Sequence, residues 1–447
     1  MTWKTTTFGR FLKERRGKYK PQQANELGLK RVEKIDFSGR IFVADKTTNT
    51  DMILVKPGDL LISGINAEKG AVSVYEGDED VLATIHYSAY QYDKEQIDIE
   101  YLKWFLKSDV FRQLLIANAA NGIKTELRAK HLLPLPIDLP PLTSQRTIVA
   151  QLDARYATVE AIDTYLTQQQ TGLANLRQSI LREAVQGHLT ATWRATNSGA
   201  NVPTETGAEL LARIRTHKAE LIKAGTLKKE KPLPPLTQAD TPFDVPEGWV
   251  WCRLGEVVTC ERGRFSVRPR NDPAYFDGDY PFIQIGDLPV SGGSISTHTQ
   301  TLNVKGLRVS KMFPKGTVAI AIVGATIGNT GILNYDMCFP DSLVGIRPSE
   351  MYNSAFINLY LQDQIKQYRH LSYAGGGQPN IKLTVLNESL FPLPPLAEQQ
   401  AIVAKVAGLM ARAEAISSTL ARARQQAGAL RQAVLREAFA QPEEVAA

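Results

Sequence analysis

Leu139-Pro140-Pro141-Leu142-Thr143-Ser144-Gln145-Arg146-Thr147-Ile148-Val149-Ala150 and Leu393-Pro394-Pro395-Leu396-Ala397-Glu398-Gln399-Gln400-Ala401-Ile402-Val403-Ala404 open two stretches of one pattern, offset by 254 residues. The match runs without a gap to Leu181-Arg182-Glu183-Ala184 and Leu435-Arg436-Glu437-Ala438. Within it Glu160, Ile162, Leu166, Leu176 and Arg177 fall on Glu414, Ile416, Leu420, Leu430 and Arg431. A repeat of this length sets the architecture before any residue is given a role.

Neither stretch contains proline after its opening, and apolar residues return every seven positions. One seam is Leu152, Val159, Leu166, Leu173, Ile180, matched by Val406, Ala413, Leu420, Ala427, Val434. A second is Ile148, Ile162, Leu176, matched by Ile402, Leu409, Ile416, Ala423, Leu430. This spacing predicts two coiled-coil helices, over 137–187 and 391–441, each beginning after a Pro-Pro-Leu stop. At ~1.5 Å per residue each spans roughly 65 Å.

The intervening segments repeat as well. Trp3, Phe8-Gly9 and Arg16-Gly17-Lys18-Tyr19 match Trp249, Leu254-Gly255 and Arg262-Gly263-Arg264-Phe265 at an offset of 246, and Gly58, Leu60 and Ile62 match Gly316, Val318 and Ile320 at 258. Offsets that drift place insertions in loops. In the first segment, 1–136, short apolar runs at Arg40 to Ala44, Met52 to Val55, Asp59 to Ser63 and Ala71 to Tyr75 read as strands. Lys56-Pro57-Gly58-Asp59 reads as a turn, and 99–116 as one amphipathic helix. Residues 188–247 change character, with a short polar helix from Glu205 to Ala224, the run Lys228-Lys229-Glu230-Lys231 and a proline cluster. They read as a partly ordered, solvated linker, with a weak backbone-binding role for its lysines as the alternative. The second segment is 248–390 and a tail covers 442–447. The expected fold is α+β: two α/β units separated by two long antiparallel helices, related by a pseudo-two-fold axis.

An apolar content of 43 % in 447 residues is that of a globular protein, and no apolar run approaches the ~18 residues of a membrane span. The N-terminus has no apolar signal core, so the expectation is a cytoplasmic protein. Cys252, Cys260 and Cys338 make neither a disulfide framework nor a zinc site. The net charge is +6, and residues 1–20 alone carry a local net of +6. Positive charge is thus concentrated where a nucleic-acid backbone would sit.

Candidate DNA-binding residues follow from the matched basic loops. The first unit offers Arg15, Arg16, Lys18, Tyr19 and Lys20; the second offers Arg262, Arg264, Phe265, Arg268 and Arg270. Arginine and lysine contact phosphates, and an arginine in the major groove bonds guanine in bidentate fashion. The alternative for either loop is a solvated turn. Asn121 and Lys124, with Gln378, Asn380 and Lys382 in the matching segment, would read adenine edges or phosphates, or belong to plain glycine-rich loops. Readers at the two ends of a long spacer would address a bipartite target, since half-sites one helical turn apart are about 34 Å between centres.

Enzyme signals fail. Asp272-Pro273-Ala274-Tyr275 resembles the Asp/Asn-Pro-Pro-Tyr motif of amino-methyltransferases, but its third position is Ala and no glycine-loop strand precedes it. The segment 324–330 lacks the lysine of a phosphate loop, and the six histidines show no ligand spacing. No catalytic constellation and no metal site is expected.

The two Leu-Pro-Pro-Leu-x-x-Gln-x-x-Ile-Val helices, the Lys56-Pro57-Gly58-Asp59 turn and the lead-in Pro246-Glu247-Gly248-Trp249 resemble the specificity subunit of type I restriction-modification enzymes. The resemblance covers nearly the whole chain. It implies two target-recognition domains, one per half of a bipartite sequence in double-stranded DNA, with the helices fixing the gap and docking two modification subunits. Those partners would carry S-adenosylmethionine and methylate adenine; restriction subunits using ATP and magnesium would join them; this chain would bind no cofactor and catalyse nothing. Val149, Val403 and Met410 are the expected docking residues. Two features depart from the pattern: the first unit lacks the Pro-Glu-Gly-Trp lead-in, and Thr143-Ser144 stands where the second helix has Ala397-Glu398. The competing readings are a DNA-binding scaffold or regulator without a methyltransferase, and an enzyme built on Asp272 to Tyr275.

Overall fold

A computed structural model describes residues 3–118, 127–197, 205–229, 231–289, 291–324, 326–373 and 380–440. The two heptad stretches are helices of 44 residues each, Leu142–Val185 and Leu396–Phe439. The chain divides into two compact units, and the division cuts both helices. The first unit holds residues 1–169 with 419–447, the second 170–418. Each unit therefore contains half of both long helices.

Within each unit those halves run antiparallel. In the first, Arg155 pairs with Glu437 at 2.8 Å and Asp163 with Arg431 at 2.6 Å, numbers rising on one helix as they fall on the other. In the second, Arg177 pairs with Glu414 at 2.6 Å. The first heptad seam is buried as its spacing requires: Leu152, Val159, Leu166, Leu173 and Ile180 on one helix, Val406, Ala413, Ala427 and Val434 on the other.

Each unit also contains an α/β domain that begins and ends in a two-stranded ribbon. Lys4–Thr7 pairs antiparallel with Pro136–Leu139 in the first, Val250–Arg253 with Leu390–Leu393 in the second. The first domain has a four-stranded sheet in the order Leu12–Glu14, Tyr87–Tyr92, Leu60–Ser63, Val72–Val74. A five-stranded sheet follows the order Lys18–Tyr19, Met52–Val55, Val81–Thr84, Arg31–Ile35, Ile41–Ala44. The second domain has a five-stranded sheet centred on Val318–Ala321, and a four-stranded one with Phe276–Phe282 and Met337–Cys338 inside.

Both domains are fastened to the long helices by the same device. Gln145 is fully buried; its side-chain oxygen accepts the Asp98 N–H at 2.7 Å and its amide donates to the carbonyls of Pro140 and Gln96 at 2.8 and 3.1 Å. Gln399, equally buried, accepts from the Asn353 N–H at 2.8 Å and donates to the Pro394 carbonyl at 3.1 Å. Asp98 and Asn353 are themselves the N-caps of Ile99–Leu106 and Ser354–Asp363, accepting from the first-turn N–H groups. A long helix thus caps the residue that caps a domain helix.

Two expectations are corrected. Residues 99–116 are not one helix: Ile99–Leu106 and Asp109–Asn118 are separate, because buried Ser108 donates to the Phe105 carbonyl and accepts the Phe111 N–H, ending one helix and starting the next. Nor are 188–247 mainly a solvated connector. Helix Gly207–Lys223 buries Leu210, Leu211 and Ile214 in the second unit's core, and Lys218 donates to the carbonyls of Gly255 and Val258 at 2.7 and 3.0 Å. Among the described residues no helix is long and apolar enough to cross a membrane.

Replacing Gln145 or Gln399 by Ala strands a buried N–H and buried carbonyls, so each should cost about 1–3 kcal/mol in denaturant unfolding. Gln→Glu at the same sites should also destabilise, since a carboxylate cannot donate to the proline carbonyl.

Candidate nucleic-acid interface

The first basic loop leaves the strand Leu12–Glu14 and enters Lys18–Tyr19. Arg15 turns inward: its Nη2 donates to Asp59 Oδ1 at 2.6 Å and its Nε to Oδ2, a bidentate pair with a buried carboxylate that raises the arginine's affinity for its proton. Arg16 and Lys18 are exposed, around Gly17 at φ +130°. Tyr19 is half-buried against Ala24, Met52 and Leu82, and Lys20 is exposed but paired with Asp51 at 3.0 Å. The structure therefore removes Arg15 from the available cations and leaves Arg16 and Lys18.

The second loop is built differently. Phe265 is a core residue, 3 % exposed, with its ring against Phe282, Phe276 and Tyr275, so it offers no face to a base. Gly263 is squeezed against the Phe339–Pro340 backbone, where a Cβ would meet the Pro340 oxygen at 2.3 Å; its close approach is to its own chain. Arg264 donates to the Ser310 carbonyl at 2.6 and 3.1 Å, Arg268 to the Phe265 and Val267 carbonyls at 3.2 and 2.7 Å, and Arg270 pairs with Asp341 at 2.6 Å. Arg262 is exposed in its strand. Beside it, Glu261 faces Lys311 and Arg347. Burial alone would push its carboxyl up, but the two cations outweigh that and hold it below the usual range.

Asn121, Lys124 and Gln378 lie outside the described residues. Asn380 is exposed, with a backbone bridge to Val323, and Lys382 is exposed at the start of Leu383–Glu388. Asp272 caps a short turn by accepting the Ala274 N–H at 3.0 Å, which gives the methyltransferase-like tetrad a local structural role. Among the described residues no three His, Cys, Asp or Glu side chains are grouped to hold a metal ion.

The expected docking residues are half-buried. Val149 packs on the first unit's core; Val403 and Met410 pack on the second's and line a cleft of about 870 Å³ there. The exposed large aliphatic residues of the long helices belong to the second heptad seam, while exposed Tyr165 lies outside it. Ile162 and Leu430 are 38 % and 46 % exposed in the first unit, Leu176 and Ile416 47 % and 48 % in the second. By the pairing of Asp163 with Arg431 and Arg177 with Glu414, each Ile stands opposite a Leu across the helix pair. The seam was legible in the heptads; which of the two seams faces solvent was not.

Residues 246–420 match the family model described as the type I restriction modification DNA specificity domain. The chain is 27 % identical over 276 residues to the type I restriction enzyme EcoAI specificity subunit of Escherichia coli, covering 58 % of this chain and 43 % of that one. It is 41 % identical over 83 residues to the EcoEI specificity subunit of the same organism, covering 19 % and 13 %. The chain thus spans less than half the length of these curated relatives. The fold continues where sequence identity fades: the HsdS subunit from Thermoanaerobacter tengcongensis superposes with a TM-score of 0.53 over 98 % of this chain and 96 % of that one, at 19 % identity. A chain from a type I R-M system solved for its complex assembly and conformational transition gives 0.64 over 98 % and 97 %, also at 19 %. Residues 246–420 are thus similar to the type I specificity domain. Its helices of 44 residues and its two α/β domains share the fold of these two solved chains.

The burial of the two loops separates architecture from binding. Phe265→Ala should cost about 3–5 kcal/mol in thermal or denaturant unfolding. Arg16→Ala, at an exposed site without a packing role, should stay within about 0.5 kcal/mol of the parent.

Proposed function

We propose that the chain is the sequence-specific DNA-recognition subunit of a type I restriction-modification complex. Each α/β domain reads one half of a bipartite target in double-stranded DNA. Two methyltransferase subunits, supplying S-adenosylmethionine chemistry on adenine, dock on the long helices. Restriction subunits that use ATP and magnesium add cleavage. The chain itself positions and does not catalyse.

The observation that carries this reading is the exposed second seam, present once in each unit as Ile162 with Leu430 and Leu176 with Ile416. Matched apolar pairs still 38–48 % exposed leave area to bury, worth somewhat under half of the about 1.5–3 kcal/mol that full burial of such a side chain supplies. A repeated patch suits two copies of one partner. Arg16 and Arg262, exposed at matched positions, and exposed Lys18 supply cations for the DNA backbone or base edges.

Two experiments test the reading. Single-molecule sequencing of methylated adenines, in cells making this chain with a type I methyltransferase, should reveal one two-part motif. Exchanging residues 1–136 should change one half of it and leave the other. An unchanged methylation pattern, with purified chain still binding DNA, would favour a regulator that works without a methyltransferase. In native mass spectrometry, Ile162→Glu with Leu430→Glu should remove one methyltransferase copy, and Leu176→Glu with Ile416→Glu the other; complexes that keep both copies would exclude these patches as docking surfaces.

A further inference from the structure

The Arg16-Gly17 corner of the first unit is held from both sides. Behind it, the Arg15 N–H donates to the Ala89 carbonyl at 2.8 Å while its guanidinium grips Asp59. Ahead of it, Lys18 and Tyr19 pair with Ile53 and Met52. Asp59 is the node. It is buried, it closes the turn by donating its N–H to the Lys56 carbonyl at 2.9 Å, and it accepts the Lys56 N–H at 2.9 Å as well as both arginine donors. Leu60–Ser63, the strand that follows it, lies inside the four-stranded sheet. Asp59 thus joins the sheet interior to the residue next to the exposed Arg16.

In the second unit the same two places hold the opposite chemistry. Glu261 stands at the position of Arg15 and Thr317 at that of Asp59. Thr317 is fully buried and its hydroxyl donates to the Pro314 carbonyl at 2.7 Å, which closes the turn without a charge. The charge lock moves to Glu261, whose Oε2 accepts from Lys311 and, at 3.3 Å, from Arg347 Nε. Its neighbour is the exposed Arg262. The loop supplies the cation of the lock in one unit and the anion in the other.

We propose that Asp59 and Glu261 are the positioning residues of the two half-site loops, Asp59 acting through Arg15 on Arg16 and Lys18, and Glu261 acting on Arg262. Neither carboxylate touches DNA; each fixes the direction from which an exposed cation meets it. A bidentate arginine contact tolerates little misorientation, so loosening the anchor flattens base discrimination more than it weakens overall attraction to phosphate. The inference rests on the recognition reading above.

The test uses the full chain with its methyltransferase subunits and duplexes carrying single base changes in one half-site at a time. Asp59→Asn should reduce discrimination about tenfold in the first half-site and leave the second unchanged; Glu261→Gln should do the reverse. Asp59→Asn strands a buried guanidinium, so Arg15→Gln with Asp59→Asn, a neutral amide pair, provides a second form whose melting temperature can be matched to the parent. Equal loss on matched and altered duplexes would mean a merely structural role and overturn the proposal. So would unchanged discrimination in folded variants while Arg16→Ala and Arg262→Ala flatten it. Absence of any sequence preference in the parent complex would instead overturn the recognition reading itself.

Discussion

A buried glutamine amide directed at backbone is the interaction on which the rest of this structure depends. Pro140-Pro141 and Pro394-Pro395 stop the chain before each long helix, and the carbonyls of Pro140 and Pro394 are left to find donors inside the protein. Gln145 and Gln399 supply those donors and in the same movement satisfy the N–H of Asp98 and Asn353. A carboxylate could accept but not donate, and a lysine could donate but not accept. An amide serves both partners from one position, and it does so twice in this chain.

The two heptad seams then divide the work of the helices. The first is spent holding helix against helix within each unit, with Leu152, Val159 and Ala413 almost completely buried. The second passes through domain core at Ile402 and emerges at Ile162, Leu176, Ile416 and Leu430. Period alone does not separate these fates, because both seams share it. What separates them is the second helix: one register meets it and the other runs along the outside of the pair.

This explains which parts of the molecule could be read from sequence. The long helices and the repeat depend on local periodicity and on matched spacing, and they appear where those signals place them; the ribbons carry no such signal. The loops depend on partners distant in sequence. Arg15 and Arg16 are the same residue type side by side; a carboxylate 44 positions away decides that one is internal and the other exposed. Phe265 follows a Gly-Arg pair as Tyr19 follows Gly-Lys, yet it is the centre of an aromatic cluster formed with Phe276 and Phe282. The linker misleads for a related reason: helix Gly207–Lys223 is rich in charge, but Leu210, Leu211 and Ile214 suffice to seat one face.

The two halves show what a backbone-directed frame permits. Lys4-Thr5-Thr6-Thr7 and Val250-Trp251-Cys252-Arg253 share almost nothing as side chains, but they form the same antiparallel ribbon in matched register, opposite Leu139 and Leu393. Ser144 stands in the first helix where the second has Glu398, a buried carboxylate that accepts from Trp249 Nε1 at 2.7 Å and Thr190 Oγ1 at 2.6 Å and pairs with Arg194. A buried charge of this kind is tolerated only because all its partners arrive together, and they arrive from the linker and the Pro-Glu-Gly-Trp turn that the first unit lacks. Side-chain networks are therefore private to each half, while the amide anchors are common to both. Since Gln145 and Gln399 bond to peptide groups that every residue carries, they place few demands on what the reading domains contain. Loops as different as Arg15–Tyr19 and Glu261–Phe265 can be mounted on one frame without altering it.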